Sequence, residues 1–377
     1  MLHCDSLAAP PADPLPSFNA DLTQCSVSGL SSGAFMTVQL HLAHSSMFVG
    51  AGVIAGGPYR CAESFRAAAP IADDANILNA LYICMNPLTP YTGPDAQQLV
   101  ALAQETQRRG LIDKLSHLAG QKIYIFTGSE DKVVDSSVVR TTRRFYEALG
   151  VAGKDIEFVD DVPAGHSILT TNAEDNPLGA NRPPFINRWT HMQSWDILRH
   201  IYGPLNQPSE RPGGRIVRFD QREFFHHERR ASMSAYGYAY VPKAVEEGAP
   251  CRVHVVLHGC MQGYNFVPMA NGVADRKNDA PYGNRYYSTT GYNEIADSNN
   301  IVVLYPQAEG RSEAKVQNPD GCWDWWGYSC PSVEAPDYYS QQAIQIRAIH
   351  DMLQRLGAGK ASIAAKPRGG KVAAATA

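Results

Sequence analysis

Residues 25–36 read CSVSGLSSGAFM. The run from Cys25 to Ser28 suits a β-strand. The residues after Gly33 place Phe35, Val38 and Leu42 on one face of an amphipathic helix. Between them, Gly29-Leu30-Ser31-Ser32-Gly33 fits G-x-S-x-G in one frame only, and that frame centres Ser31. A strand turning straight into a helix leaves the backbone little freedom. The glycines let the chain pass crowded positions, and the serine hydroxyl is held out at the apex. The same serine could cap an ordinary helix, so the turn takes its meaning from what the rest of the chain supplies.

A serine hydroxyl attacks only when a base removes its proton, and the usual base is a histidine oriented by a carboxylate. The first half alternates apolar runs with helical patterns, which implies a parallel sheet. In such sheets functional groups lie just past the carboxyl ends of strands. KIYIFTG (122–128) is followed by Asp131, and DIEFVDDV by a Pro- and Gly-shaped loop holding His166. Glu130 and Asp135 compete for the role of acid, with Asp135 well placed to cap the next helix, whose apolar face carries Val138, Phe145 and Leu149. The order Ser31, Asp131, His166 is that of α/β-hydrolases.

The oxyanion of an acyl-transfer intermediate needs two N–H donors. The amide of Ser32, next after the nucleophile, is one. The other is expected from an HG-x loop, and VVLHGCMQG (255–263) offers His258, Gly259 and Cys260, with the Cys260 amide as donor. His258 and Gly259 are expected to line the cleft. This loop follows His166 instead of preceding Ser31. So do the antiparallel patterns GRIVRFD and AYGYAYVP, the buried strand NIVVLYPQ, and the closing helix pattern YYSQQAIQIRAIHDMLQRLG. Joining that helix to LTQCSVSG restores the usual order. The chain therefore reads as a circularly permuted α/β-hydrolase: a mostly parallel sheet with helices on both faces. Residues 1–20 form an extended lead-in, 21–357 one catalytic domain, and 358–377 a flexible tail. A division in two near residue 205, within YGPLNQPSERPGGR, would leave one half without an oxyanion loop and the other without a nucleophile.

Charge and composition exclude several classes. A formal net charge of −4 gives no footprint for nucleic acid. No apolar run approaches the roughly 20 residues of a membrane span. His226-His227, flanked by Glu223 and Glu228, could suggest a metal, but neighbours in an alternating strand point to opposite faces; no metal, other cofactor or obligate protein partner is expected. Eight cysteines without metal spacing point to disulfides and an oxidising compartment. Cys322 and Cys330 are the easiest local pair. The first residues lack a basic region followed by an apolar one, so no signal peptide is visible.

Over residues 22–357 the chain resembles secreted poly(3-hydroxybutyrate) depolymerases of the circularly permuted, single-domain type. The likeness rests on GLSSGAFM, GSEDKVV, PAGHSI, YVP, LHGC, VVLYPQ and CWDWWGY. It implies a serine esterase with nucleophile Ser31, acid Asp131, base His166, and oxyanion donors at Ser32 and Cys260. It further implies that Trp323, Trp325 or Trp326 lines the substrate cleft, that the substrate is a polyester polymer or oligomer, and that the protein is extracellular or periplasmic. With no separate polymer-binding domain in the pattern, adsorption is expected to use the catalytic domain's own surface. The second-half motifs also resemble feruloyl and acetylxylan esterases. A polyester- or granule-binding protein that keeps the fold without activity is a third reading, opposed by the complete Ser/Asp/His/HGC set.

Overall fold

The structure is a computed structural model and describes residues 12–64, 75–89, 91–226, 228–266, 269–270, 273–274, 283–313, 316–332 and 335–359. The first eleven residues and those after 359 lie outside this set, as does His227. Residues 12–20 of the expected lead-in are docked: Leu15 is buried, and the Phe18 and Ala20 amides both donate to Leu356 O at 3.0 and 3.2 Å.

Eight strands make one sheet: β1 (Cys25–Leu30), β2 (Phe48–Ile54), β3 (Lys122–Phe126), β4 (Ile156–Val159), β5 (Arg215–Asp220), β6 (Tyr236–Val241), β7 (Arg252–Leu257) and β8 (Ile301–Tyr305). Their spatial order is β4-β3-β2-β1-β7-β8-β6-β5. All neighbours from β4 to β8 run parallel, while β6 and β5 are antiparallel. This is the α/β-hydrolase sheet read from its middle. Strand β1 pairs on one side with β2 and on the other with β7, so the HGC loop that follows β7 emerges beside the serine turn that follows β1.

Alternation along the strands explains why both faces need helices. Val53, Ile123, Ile125, Val302 and Leu304 enter one core; Ile54, Tyr124, Phe126, Val303 and Tyr305 enter the other. The first core is covered by α1 (Ser32–Ala43), α2 (Ala96–Arg108), α3 (Ser136–Ala148) and α6 (Ile344–Gly357). The second is covered by α4 (Gln193–Tyr202) and α5 (Tyr292–Asn299). Each fully buried Ile, Leu or Val contributes about 1.5–3 kcal/mol, so the two layers hold the strand ends in fixed register.

Four expectations change. Helix α1 is buried along its whole length, not amphipathic, because its polar residues are covered too: Gln39 donates to Asp324 O, and His41 meets Tyr146 and Gln121. Helix α6 begins at Ile344, not at the tyrosines before it: Tyr338 and Tyr339 are buried in a turn, Tyr338 reaching Glu63 and Tyr339 lying under Arg60. The strand expected through His226 stops at Asp220, where the side chain caps a 3₁₀ turn, and His226 is exposed beyond it. Finally, Cys322 is bonded to Cys260, and Cys61 to Cys84. Cys330 is a free thiol whose sulfur accepts from the Asp337 amide. The 203–214 stretch is tied down by α5: the Gly213 and Gly214 amides donate to Asp297, and that of Asn206 to Asn299.

Candidate active site

The serine turn is built by close approach. A Cβ on Gly33 would stand 2.3 Å from Leu257 O, and one on Gly29 2.3 Å from Gly33 O. Any side chain at either position would push α1 off the ends of β1 and β7. Ser31 itself adopts φ 58° and ψ −122°, a conformation costly for a non-glycine residue. Its amide donates to Ile54 O, and its carbonyl accepts from Ala34 and Phe35. These backbone bonds hold the strained residue while its side chain faces a cleft.

The residues expected as acid and base, Asp131 and His166, lie in the loops after β3 and β4. Asp131 Oδ2 lies 2.8 Å from His166 Nδ1, and both side chains are almost fully buried. Asp131 Oδ1 accepts from the Val133 and Val134 amides at 2.8 and 3.0 Å, which holds the carboxylate in its rotamer. A carboxylate can only accept, so His166 carries its proton on Nδ1 and leaves Nε2 as a lone-pair acceptor. Of the competing acids, Asp135 caps α3 by accepting from Ser137, and Glu130 is exposed.

Two residues without any sequence signal organise this pair. Asn181 Oδ1 accepts from the His166 and Lys132 amides, while Nδ2 donates to Glu130 O. It staples the acid loop to the base loop. Phe185 packs edge-on against the His166 ring, with centroids 5.5 Å apart.

Ser31, Ser32, His166, Gly259 and Cys260 border one cleft of about 280 Å³. Its other walls are largely apolar, including Leu30, Phe35, Ile77, Leu81, Val134, Phe185 and Trp325. The HGC loop lies against the serine: a Cβ on Gly259 would stand 3.2 Å from Ser31 Cβ. Neither the Ser32 nor the Cys260 amide donates to a backbone carbonyl among the described residues. The Cys260–Cys322 bond ties the loop to the CWDWWGY segment.

Within that segment the tryptophans differ. Trp325 lines the cleft and stacks on Phe35 at 3.9 Å, and Trp326 lines it edge-on to Trp325. Trp323 is fully buried, does not border the cleft, and packs on His258. His258 is likewise fully buried and behind the wall, which corrects its expected place beside the substrate. Asp320 is a half-buried carboxyl at the cleft, its pKa pushed up by burial. Among the described residues, no group of three or more His, Cys, Asp or Glu is arranged to hold a metal ion.

No family model matches the chain. It is 35% identical over 350 residues to the poly(3-hydroxybutyrate) depolymerase of Delftia acidovorans, covering 92% of this chain and 62% of that protein. It is 32% identical over 330 residues to the polyhydroxybutyrate depolymerase of Talaromyces funiculosus, covering 84% of this chain and 86% of that one. The chain thus spans less than two thirds of the Delftia protein and most of the Talaromyces one. The crystal structure of the PHB depolymerase from Penicillium funiculosum superposes with a TM-score of 0.75 at 29% identity, covering 91% of this chain and 98% of that one. A PHB depolymerase variant complexed with an R3HB trimer gives a TM-score of 0.74 at 28% identity, with the same coverage. Sequence likeness along most of both chains and a shared fold over nearly all of the solved enzyme lead to one conclusion: the chain belongs to the poly(3-hydroxybutyrate) depolymerase family.

Proposed function

We propose that this chain is a serine esterase that hydrolyses ester bonds of poly(3-hydroxybutyrate) or a related polyhydroxyalkanoate, and that residues 21–357 form its catalytic domain. The observation that carries the reading is the buried Asp131–His166 pair opening, with the strained Ser31, onto a single apolar cleft.

Ser31 Oγ attacks the ester carbonyl carbon as His166 Nε2 takes its proton. The developing oxyanion is held by the Ser32 and Cys260 amides. Collapse breaks the bond to the alcohol oxygen, which takes the proton back from His166. Water then attacks the acyl-enzyme with His166 as base, releasing the hydroxyacid and restoring Ser31. The apolar walls and the faces of Trp325 and Trp326 suit a chain of repeating methyl-bearing units.

Docking on a solid is supported by the cleft's rim. Leu81 borders the cleft, and it, Leu78 and Tyr82 are exposed on the segment held by the Cys61–Cys84 bond. Exposed apolar clusters of this kind mark interaction surfaces. An extracellular or periplasmic location is supported by the two disulfides.

The test is product analysis on polyhydroxybutyrate film, with methyl ferulate as the control for a soluble-ester enzyme. Ser31→Ala is expected to fold and lose about 10⁴-fold or more in turnover. Ser32→Ala keeps its amide and is expected to lose far less. Hydrolysis of ferulate with no release of hydroxybutyrate would reject the polyester reading.

A further inference from the structure

An oxyanion donor works only if its peptide plane is turned correctly. The Cys260 N–H belongs to the same planar unit as the Gly259 carbonyl, and in a trans peptide the two point in opposite directions. Whatever holds Gly259 O on the buried side therefore holds Cys260 N–H toward the cleft. The group in contact with Gly259 O is His258 Nδ1, at 2.7 Å.

The ring's other nitrogen decides its protonation. His258 Nε2 lies 3.1 Å from the Ala308 amide nitrogen. A backbone N–H can only donate, so Nε2 is the bare nitrogen and Nδ1 carries the hydrogen. Nδ1–H then donates to Gly259 O. The ring is wedged against Trp323 and Tyr286 with no exposed surface, and burial lowers its pKa to about 4, so it stays neutral. The peptide before is held as well: the Gly259 amide donates to Gln262 Oε1 at 2.6 Å, and Gln262 Nε2 donates to Pro184 O.

We infer that His258 is a positioning residue for the oxyanion site: through one fixed neutral tautomer, braced by Ala308, it sets the plane of the Gly259–Cys260 peptide so that the Cys260 N–H faces the reacting ester. It touches no substrate. The inference rests on the esterase reading above.

Two isosteric substitutions separate positioning from stability. In His258→Asn the side-chain amide nitrogen stands near the former Nδ1 and can still donate to Gly259 O, while the Ala308 amide loses its acceptor. In His258→Gln the polar group stands near the former Nε2, so Ala308 is served and Gly259 O is not. Steady-state kinetics on a soluble hydroxybutyrate ester, melting temperatures, and inhibition by an alkylboronic acid that forms a tetrahedral adduct are measured on both. His258→Gln is expected to lose roughly 10- to 100-fold in kcat, with KM within about twofold and boronate binding weakened in parallel. His258→Asn is expected to keep kcat within a fewfold despite a lower melting temperature. Rates that follow melting temperature across the pair, or a loss confined to KM, would overturn the inference. If neither variant folds, ring nitrogen NMR of the unaltered protein decides: a bare Nδ1 and protonated Nε2 on His258 would overturn it equally. Ser31→Ala run alongside keeps the two levels apart. Full activity in Ser31→Ala defeats the esterase reading itself. An inactive Ser31→Ala with both His258 variants at wild-type rates defeats only this one.

Discussion

Asp131 and Asp135 stand four residues apart and act on different partners. Asp131 receives two amides and orients His166; Asp135 caps α3. Asp131→Asn can keep those amide bonds, but its NH₂ would face Nδ1 and force the proton onto Nε2, the wrong tautomer for a base. Turnover is expected to fall by about 10⁴ with folding intact. Asp135→Asn retains a good cap and is expected to change the rate little. Equal losses measured in the two variants would leave the acid unassigned. At this scale the sequence was informative where a residue follows a strand end in a glycine-shaped loop, as Ser31, Asp131 and His166 do. Asn181 and Gln262 could not be read. Each works by bridging backbone groups of two loops distant in sequence, and an Asn or Gln in a polar loop carries no pattern that announces this. His258 was legible as a motif residue, but its direction, into the core, depends on Ala308.

The CWDWWGY segment has no regular secondary structure, yet it is held at both ends and in the middle. Cys322 is bonded to Cys260, and Asp324 gathers the amides of Trp326, Gly327, Tyr328 and Ser329 around a buried carboxyl. The alternation of outcomes, Trp323 inward and Trp325 and Trp326 to the cleft, follows from that turn. Replacing Trp325 or Trp326 with Ala is expected to reduce turnover of polymer or trimer at least tenfold more than turnover of a short soluble ester. Trp323→Ala is expected to cost about 3–5 kcal/mol of stability and depress both substrates together. Kinetics on the two substrate sizes beside a melting curve distinguish these cases; a Trp325 or Trp326 variant behaving like Trp323→Ala would make that residue structural. The sequence announced the cluster but not the partition, because the direction of each indole depends on side-chain bonds within the turn. It also misjudged α1. A helix with a polar face looks solvent-exposed in one dimension, whereas here that face is covered by the chain around it: His41 is matched by Tyr146 and Gln121, and Gln39 donates to Asp324 O.

Across the whole molecule, the buried histidines set the response to acid. Burial lowers His41, His44 and His258 to about 4 and His254 to about 3. Unfolded histidine titrates near 6.5. Below that pH the unfolded chain binds protons that the folded one refuses, so stability is full above about 6.5 and falls as pH drops toward 4. Each such histidine costs up to about 1.4 kcal/mol per pH unit in that window. The melting temperature is expected to decline steeply between those limits, and a flat profile would mean these rings are not neutral in the native state. Thiol titration in denaturant without reductant is expected to find no more than four reactive thiols; eight would remove the support for an oxidising compartment. The sheet and its permuted order were legible because strand patterns and the HGC motif survive transposition. The disulfide partners were not, since Cys260 and Cys322 meet only once β7 and the tryptophan segment are packed.

The central place of β1 also bears on how the molecule is made. One of its two partners in the sheet is β7, with Ser26 set against His254 at a separation of 228 residues. The serine turn after β1 is therefore made well before the strand that completes its surroundings. Until β7 arrives, β1 presents an open apolar edge, and contacts that span so much chain form slowly. A nascent chain that has reached His166 already holds Ser31 and Asp131 but lacks the proposed Cys260 oxyanion donor until the HGC loop is made. The proposed esterase site is thus complete only when β7 folds back beside β1 and closes the middle of the sheet.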